Sequence, residues 1–182
     1  MHAVSRAGDV SAREVVVNGA GPIGCLVVSA LKFAGAARVI AADVSPASLK
    51  VATAMGADEV RDISRGDELP RDPEIVFEAS GATAALGGVL RAAARGGTVV
   101  QVGNLPGGPA EAVLGDLVTR EITWIGSYRF VDEISTAVQA MAEGLDVAPV
   151  MTHSFPIDDA LVAMRMAADR STGSSKVMLH IA

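Results

Sequence analysis

The sequence predicts an α/β chain, a doubly wound parallel sheet with helices on both faces. Three observations carry that prediction. Short β-branched runs alternate with helical stretches of ten or more residues, the pattern of βαβ units. A glycine turn, G-x-G-x-x-G over Gly19 to Gly24, follows the first strong run and opens a helix. Asp43 ends the next run, 19 residues beyond Gly24, close to the spacing of about 20 expected in a dinucleotide-binding βαβ unit.

The elements follow in order. Glu14 to Asn18 reads as a buried strand and Pro22 to Ala34 as a helix, with Ile23, Leu26, Val27, Ala30 and Leu31 at helical spacing. Arg38 to Ala42 is the second strand. Ser45 caps a helix with Pro46 at its first position, running to about Met55 and stopped by Gly56. A short strand follows near Val60, and Arg61 to Pro73 is polar and loop-like. Ile75 to Glu78 is a strand, Thr83 to Ala94 a helix ended by Gly96-Gly97, and Thr98 to Val102 a strand. Ile122 to Gly126 forms the sheet edge. The tail reads as a helix over Val131 to Glu143, a strand over Val150 to Phe155, a helix over Asp158 to Ala168 and a strand over Lys176 to Ile181. Residues 1–130 are expected to form a Rossmann domain and 131–182 a separate closing segment.

Composition fits a globular chain: 182 residues, 50% hydrophobic and 20% charged. With one Trp, one Tyr and four Phe, the core must come from Ala, Val, Leu, Ile and Met. The net charge is −6, with 15 basic and 21 acidic residues, and the basic ones do not cluster, which argues against nucleic acid and anionic membranes as partners. Mean hydropathy is +0.39, yet polar residues interrupt each apolar stretch before spanning length. The start lacks the order of a signal peptide. One cysteine excludes an internal disulfide and a cysteine-based structural zinc site. A cytoplasmic chain is expected.

Gly19 allows the tight turn, Gly21 lets the backbone approach a pyrophosphate, and Gly24 lets helix and strand pack closely. The free N–H groups and positive dipole end of the helix, beginning at Pro22 and Ile23, face the diphosphate. Pro22 costs no donor there. Asp43 accepts the adenosine ribose hydroxyls; the plainer reading is a solvated loop carboxylate. Beside a 2′-phosphate this carboxylate would be repelled by about 4 kcal/mol at roughly 4 Å and an effective dielectric near 20, before screening, so NAD is expected over NADP. Lys50 is within reach of the same ribose, or is simply a solvated helix residue. Ser80-Gly81, Gly103-Asn104 and Ser127 lie at strand C-terminal ends, where open α/β sheets bind ligands. Gly81 and Gly103 suit close approach to a nicotinamide ring; plain turn chemistry is the alternative.

Catalytic groups do not stand out. Cys25, His2, His153 and His180 show no zinc-ligand spacing, and Cys25 reads as core packing. There is no G-x-S-x-G elbow and no Tyr-x-x-x-Lys pair.

The set G-A-G-P-I-G, A-D-V-S, A-x-x-M-G-A-D-E-V, F-E-A-S-G, G-G-T-V-V-Q-V-G and T-H-S-F-P-I-D-D-A resembles the zinc-dependent medium-chain alcohol and polyol dehydrogenases, over nearly the whole chain. Glu121 to Phe130 looks most like the polyol and sugar-acid branch. The resemblance implies NAD on the residues above, Arg129 near substrate and cofactor, and a homodimer or dimer-built tetramer paired through the Ile122 to Gly126 edge. It also implies that members are roughly twice this length, with an N-terminal domain supplying the catalytic zinc. This chain carries no such ligands, so it resembles the cofactor-domain piece, with the segment from Val131 returning toward the zinc domain. Other readings are a non-catalytic NAD(H)-sensing module, a methyltransferase and a zinc-free quinone reductase. The tail, the full glycine spacing and Asp43 weigh against them in turn.

Overall fold

The structure is a computed structural model that describes residues 1–181. The chain opens with helix α1 (His2–Arg6). It continues through β1 (Glu14–Asn18), α2 (Pro22–Phe33), β2 (Arg38–Asp43), α3 (Pro46–Ala54), β3 (Glu59–Asp62), β4 (Ile75–Glu78), α4 (Thr83–Ala92), β5 (Thr98–Gln101), α5 (Gly115–Thr119) and β6 (Thr123–Gly126). The tail adds α6 (Glu133–Ala142), β7 (Met151–Pro156), α7 (Ala160–Ala168) and β8 (Lys176–His180).

β1 to β6 form one fully parallel sheet in the order β3-β2-β1-β4-β5-β6, and β7 pairs with β8 in a second parallel sheet of two strands. The first sheet has the Rossmann order, with its switch point between β1 and β4. Side-chain alternation sorts the strands onto two cores. Val15, Val17, Val39, Ala41, Ile75, Phe77 and Val100 pack with α1, α2 and α3. Val16, Ile40, Val76 and Val99 pack with Val89, Leu90 and Ala93 at α4. These inner strands are buried on both faces, which explains their unbroken apolar runs.

The predicted strands and long helices are present, with ends moved by one or two residues. α4 stops at Ala92, not Ala94, because Ala93 turns extended and Ala94 N–H donates to Pro73 O. α5 was not foreseen: it is five residues long and follows a Gly- and Pro-rich stretch that carries no helical period. β6 is the sheet edge, as expected.

The β3-to-β4 crossover has no α-helix, only one 3₁₀ turn at Ile63–Arg65 followed by loop. Leu69 alone in that loop packs onto the α4-side core. A cavity of about 730 Å³ remains between this crossover and α4, reaching Asn18 at the switch point.

The tail meets the rest through Val150, buried in the core beside α2 and α3, and through polar contacts. Ser29 Oγ on α2 donates to Asp146 O at 2.6 Å, and His2 Nδ1 lies 2.6 Å from Glu133 Oε1. Its helices leave Leu161, Val162, Met164, Ile134 and Val138 more than half exposed. Among the described residues no helix is long and apolar enough to cross a membrane.

Candidate functional site

The three glycines of the β1–α2 turn differ in what surrounds them. Gly19 sits at φ +97, and a Cβ there would lie 2.4 Å from Ser80 N. A Cβ on Gly24 would lie 1.8 Å from the Gly19 carbonyl oxygen. Both glycines are demanded by the protein's own packing. Gly21, at the N-cap of α2 with φ −63, is different: a Cβ there meets nothing within 4 Å. The space above Gly21 is open toward solvent at the positive end of a 12-residue helix. Pro22 occupies the first helical position and Ile23 is 55% exposed beside it.

Asp43 ends β2 beside this turn. Its Oδ2 accepts the Ala20 N–H at 2.6 Å and its Oδ1 the Ser45 N–H at 2.8 Å. The carboxylate therefore ties the glycine turn to the start of α3 and keeps lone pairs for further donors. Lys50 stands exposed on the second turn of α3.

Across the switch point lie the turns after β4, β5 and β6. Gly81 has φ +67, and a Cβ on it would lie 2.6 Å from Asn104 O; a Cβ on Gly103 would lie 2.3 Å from Gly81 N. The two turns thus touch backbone to backbone, which accounts for both glycines by the contact between them. Ser80 and Asn104 are exposed, and Ser127 is half-buried with its N–H donating to Gln101 O at 2.8 Å. Arg129 is exposed, holds a left-handed φ of 55°, and places its guanidinium 5.0 Å from the Tyr128 ring centroid.

One residue of this site escaped the sequence reading. Glu78, at the end of β4, is wholly buried. Its Oε1 accepts Ser80 N–H at 2.7 Å, Gly81 N–H at 3.2 Å and the Ser80 hydroxyl. Burial pushes its carboxyl above the usual range, opposed by these bonds. Its register partners are Asn18 on β1 and Gln101 on β5. Gln101 Nε2 donates to Gly103 O at 2.8 Å, while its Oε1 is buried without a partner among the described residues. In the strand Ile-Val-Phe-Glu the apolar run hid Glu78. A carboxylate at an inward position of a strand's C-terminal end was the available signal.

The open cradle above Gly21, the donor end of α2 and the carboxylate at Asp43 fit a dinucleotide. A zinc ion does not fit: among the described residues no three His, Cys, Asp or Glu side chains gather as a metal site. Cys25 is buried and its thiol is pushed up to about 12 by burial and by Asp43, so it stays protonated at neutral pH.

The family model described as zinc-binding dehydrogenase matches residues 22–143. L-idonate 5-dehydrogenase (NAD(P)(+)) of Escherichia coli K12 is 37% identical over 185 residues, covering 98% of this chain and 53% of that enzyme. Sorbitol dehydrogenase of Ovis aries is 34% identical over 176 residues, covering 90% and 49%. The crystal structure of the E. coli L-idonate 5-dehydrogenase superposes with a TM-score of 0.90 at 36% identity, over 99% of this chain and 53% of that one. The chain spans about half the length of the curated relatives it matches. With a family match over two thirds of its residues, and these relatives along nearly all of it, the chain belongs to the zinc-dependent polyol dehydrogenases of the zinc-binding dehydrogenase family.

Proposed function

We propose that this chain is the NAD-binding half of a dehydrogenase that oxidises a polyol or sugar acid, L-idonate being the model substrate. The observation that carries the reading is the division of labour in the glycine turn. Gly19 and Gly24 are filled by the fold, while Gly21 alone is left bare at a helix N-terminus. In this reading Gly19 to Gly24 hold the pyrophosphate, with Pro22 and Ile23 in the first helical turn, and Asp43 and Lys50 the adenosine ribose. The apolar part of the cavity between Ile63, Leu69, Ala84 and Gly88 takes the adenine. Ser80-Gly81, Gly103-Asn104 and Ser127 flank the nicotinamide, and Arg129 reaches substrate. When bound, NAD supplies the hydride acceptor. The chain's own residues fix its two ends and exclude water between the strand-end turns.

The domain boundary falls near residue 130, and the segment from 131 closes against a zinc-bearing domain. Assembly is through the β6 edge, where Trp124 and Ile125 remain half-exposed, giving a homodimer or a tetramer of dimers in the cytoplasm. Calorimetric titration with NAD and then NADP tests the cofactor. Binding of NAD with at least tenfold preference supports the reading; equal affinity for both removes the role given to Asp43, and binding of neither overturns it.

A further inference from the structure

Glu78 is a buried acid without a cation. Its described hydrogen-bond partners are the Ser80 N–H and hydroxyl and the Gly81 N–H, with the Asn18 side chain also lowering its pKa. Both strand neighbours in register, Asn18 and Gln101, are neutral. Among the described residues none of the ion pairs involves it. A fully buried carboxylate left unpaired is costly, so such groups normally find an opposite charge or take up a proton. Its place is also specific. It stands at the C-terminal end of β4, on the switch point, directly beneath the turn that touches both neighbouring loops: Ser80 against Gly19, and Gly81 against Asn104 and Gly103.

The dinucleotide reading puts the nicotinamide over these same turns. The oxidised ring carries a positive charge and the reduced ring does not, while the rest of the molecule is unchanged between the two forms. We propose that Glu78 is a redox-state selector, a buried negative charge that favours NAD+ over NADH in this half of the crevice. The inference rests on the proposed dinucleotide site. Glu78 is a positioning residue as well, since its Oε1 orders the Ser80-Gly81 turn; the two roles separate experimentally. Ordering the turn changes affinity for both forms alike, whereas the charge changes their ratio.

The groups facing Glu78 from the elements packed on it are Asn18 from β1, Gln101 from β5 and Ser80 from the turn, none of which titrates near neutrality. The other acid of the site, Asp43, sits at the adenosine end, which NAD+ and NADH share, so its effect cancels in the ratio. As pH rises through the raised pKa of Glu78, the carboxyl ionises and the preference for NAD+ grows.

The experiment is calorimetric titration of this chain with NAD+ and NADH, as wild type and as Glu78→Gln, between pH 5 and 9. Glutamine keeps an oxygen for the Ser80 and Gly81 donors and removes the charge, at the cost of turning the second oxygen into an NH2 donor. The expected result is that Glu78→Gln shifts the ratio of dissociation constants toward NADH by at least fivefold, since the charge lies directly beneath the turn given to the ring. The wild-type ratio moves toward NAD+ with rising pH and the Glu78→Gln ratio stays flat. If the variant does not fold, the pH series on the wild type carries the same test alone. A ratio that neither the variant nor pH moves overturns the selector role, even where both forms bind. Binding of neither form by the wild type overturns the dinucleotide reading and the inference together.

Discussion

Substituting alanine at each of two glycines in the same turn separates fold from cofactor. At Gly24 a Cβ would lie 1.8 Å from the Gly19 carbonyl oxygen. That contact must open by more than an ångström, and the atom it meets is backbone at the end of a buried strand. The β1–α2 packing must give way, at a cost of about 3 kcal/mol or more, the upper end of overpacking effects. For a chain of this size that is a fall in Tm of roughly 6–12 °C. At Gly21 the same methyl meets nothing within 4 Å, and φ −63 with ψ −178 is open to alanine. Its only cost is a poorer N-cap, about 1 kcal/mol or less. The methyl does, however, fill the space given to the pyrophosphate. Thermal unfolding followed by circular dichroism and calorimetric titration with NAD read the two effects. Gly21→Ala should unfold within about 4 °C of wild type and lose at least tenfold in NAD affinity, about 1.4 kcal/mol. A Gly21→Ala chain that binds NAD as wild type does refutes the reasoning, because the bare second glycine would then face no ligand.

Other outcomes follow from single contacts. Asp43→Asn removes the charge that repels a 2′-phosphate, so the NAD-to-NADP affinity ratio should fall by at least tenfold in the same titration. Glu133, paired with His2, has its carboxyl lowered to about 2. A lowered pKa stabilises the fold above the usual value near 4.5, and the gain is lost as pH falls from there toward 2. Glu133→Gln should therefore unfold at a lower temperature than wild type at pH 7, with the difference closing near pH 2. Leu31→Ala empties a fully buried position of α2 and should cost about 2–5 kcal/mol in denaturant unfolding. The chain alone should produce no NADH from L-idonate or sorbitol by absorbance at 340 nm, with or without added zinc.

The fold was legible because the chain is punctuated. Pro22, Pro46, Gly56 and Gly96-Gly97 bracket helices, and the β-branched runs between them are too short to be anything but strands. α5 was not legible, since five residues make too little periodicity and packing of Leu117 on the α4-side core holds them. In the site, Gly19, Gly24 and Asp43 were readable because their roles are local: a turn, a helix-strand contact and a strand end. Gly81 and Gly103 read as either ligand approach or turn chemistry, and the structure adds a contact between them, 22 positions apart in sequence. No local spacing encodes such a contact. Glu78 was hidden by the apolar run it ends, although the groups it caps, Ser80 and Gly81, lie in the turn just after it.

The mutual contact of the turns after β1, β4 and β5 has a consequence for how such a domain can diversify. Three loops that meet through backbone atoms leave no side chain between them to trade for another. The turn after β4 touches both of the others, so a residue inserted in any of them must displace a neighbour. That side of the crevice is therefore frozen against drift in length. The crossover from β3 to β4 carries no α-helix and lies on the cavity, with Leu69 packed on the core and Asp72 and Pro73 tied by hydrogen bonds to the end of α4. Changes there can reshape the cavity without disturbing the interlocked turns. Sequence change can therefore gather at the crossover while the interlocked turns keep their length.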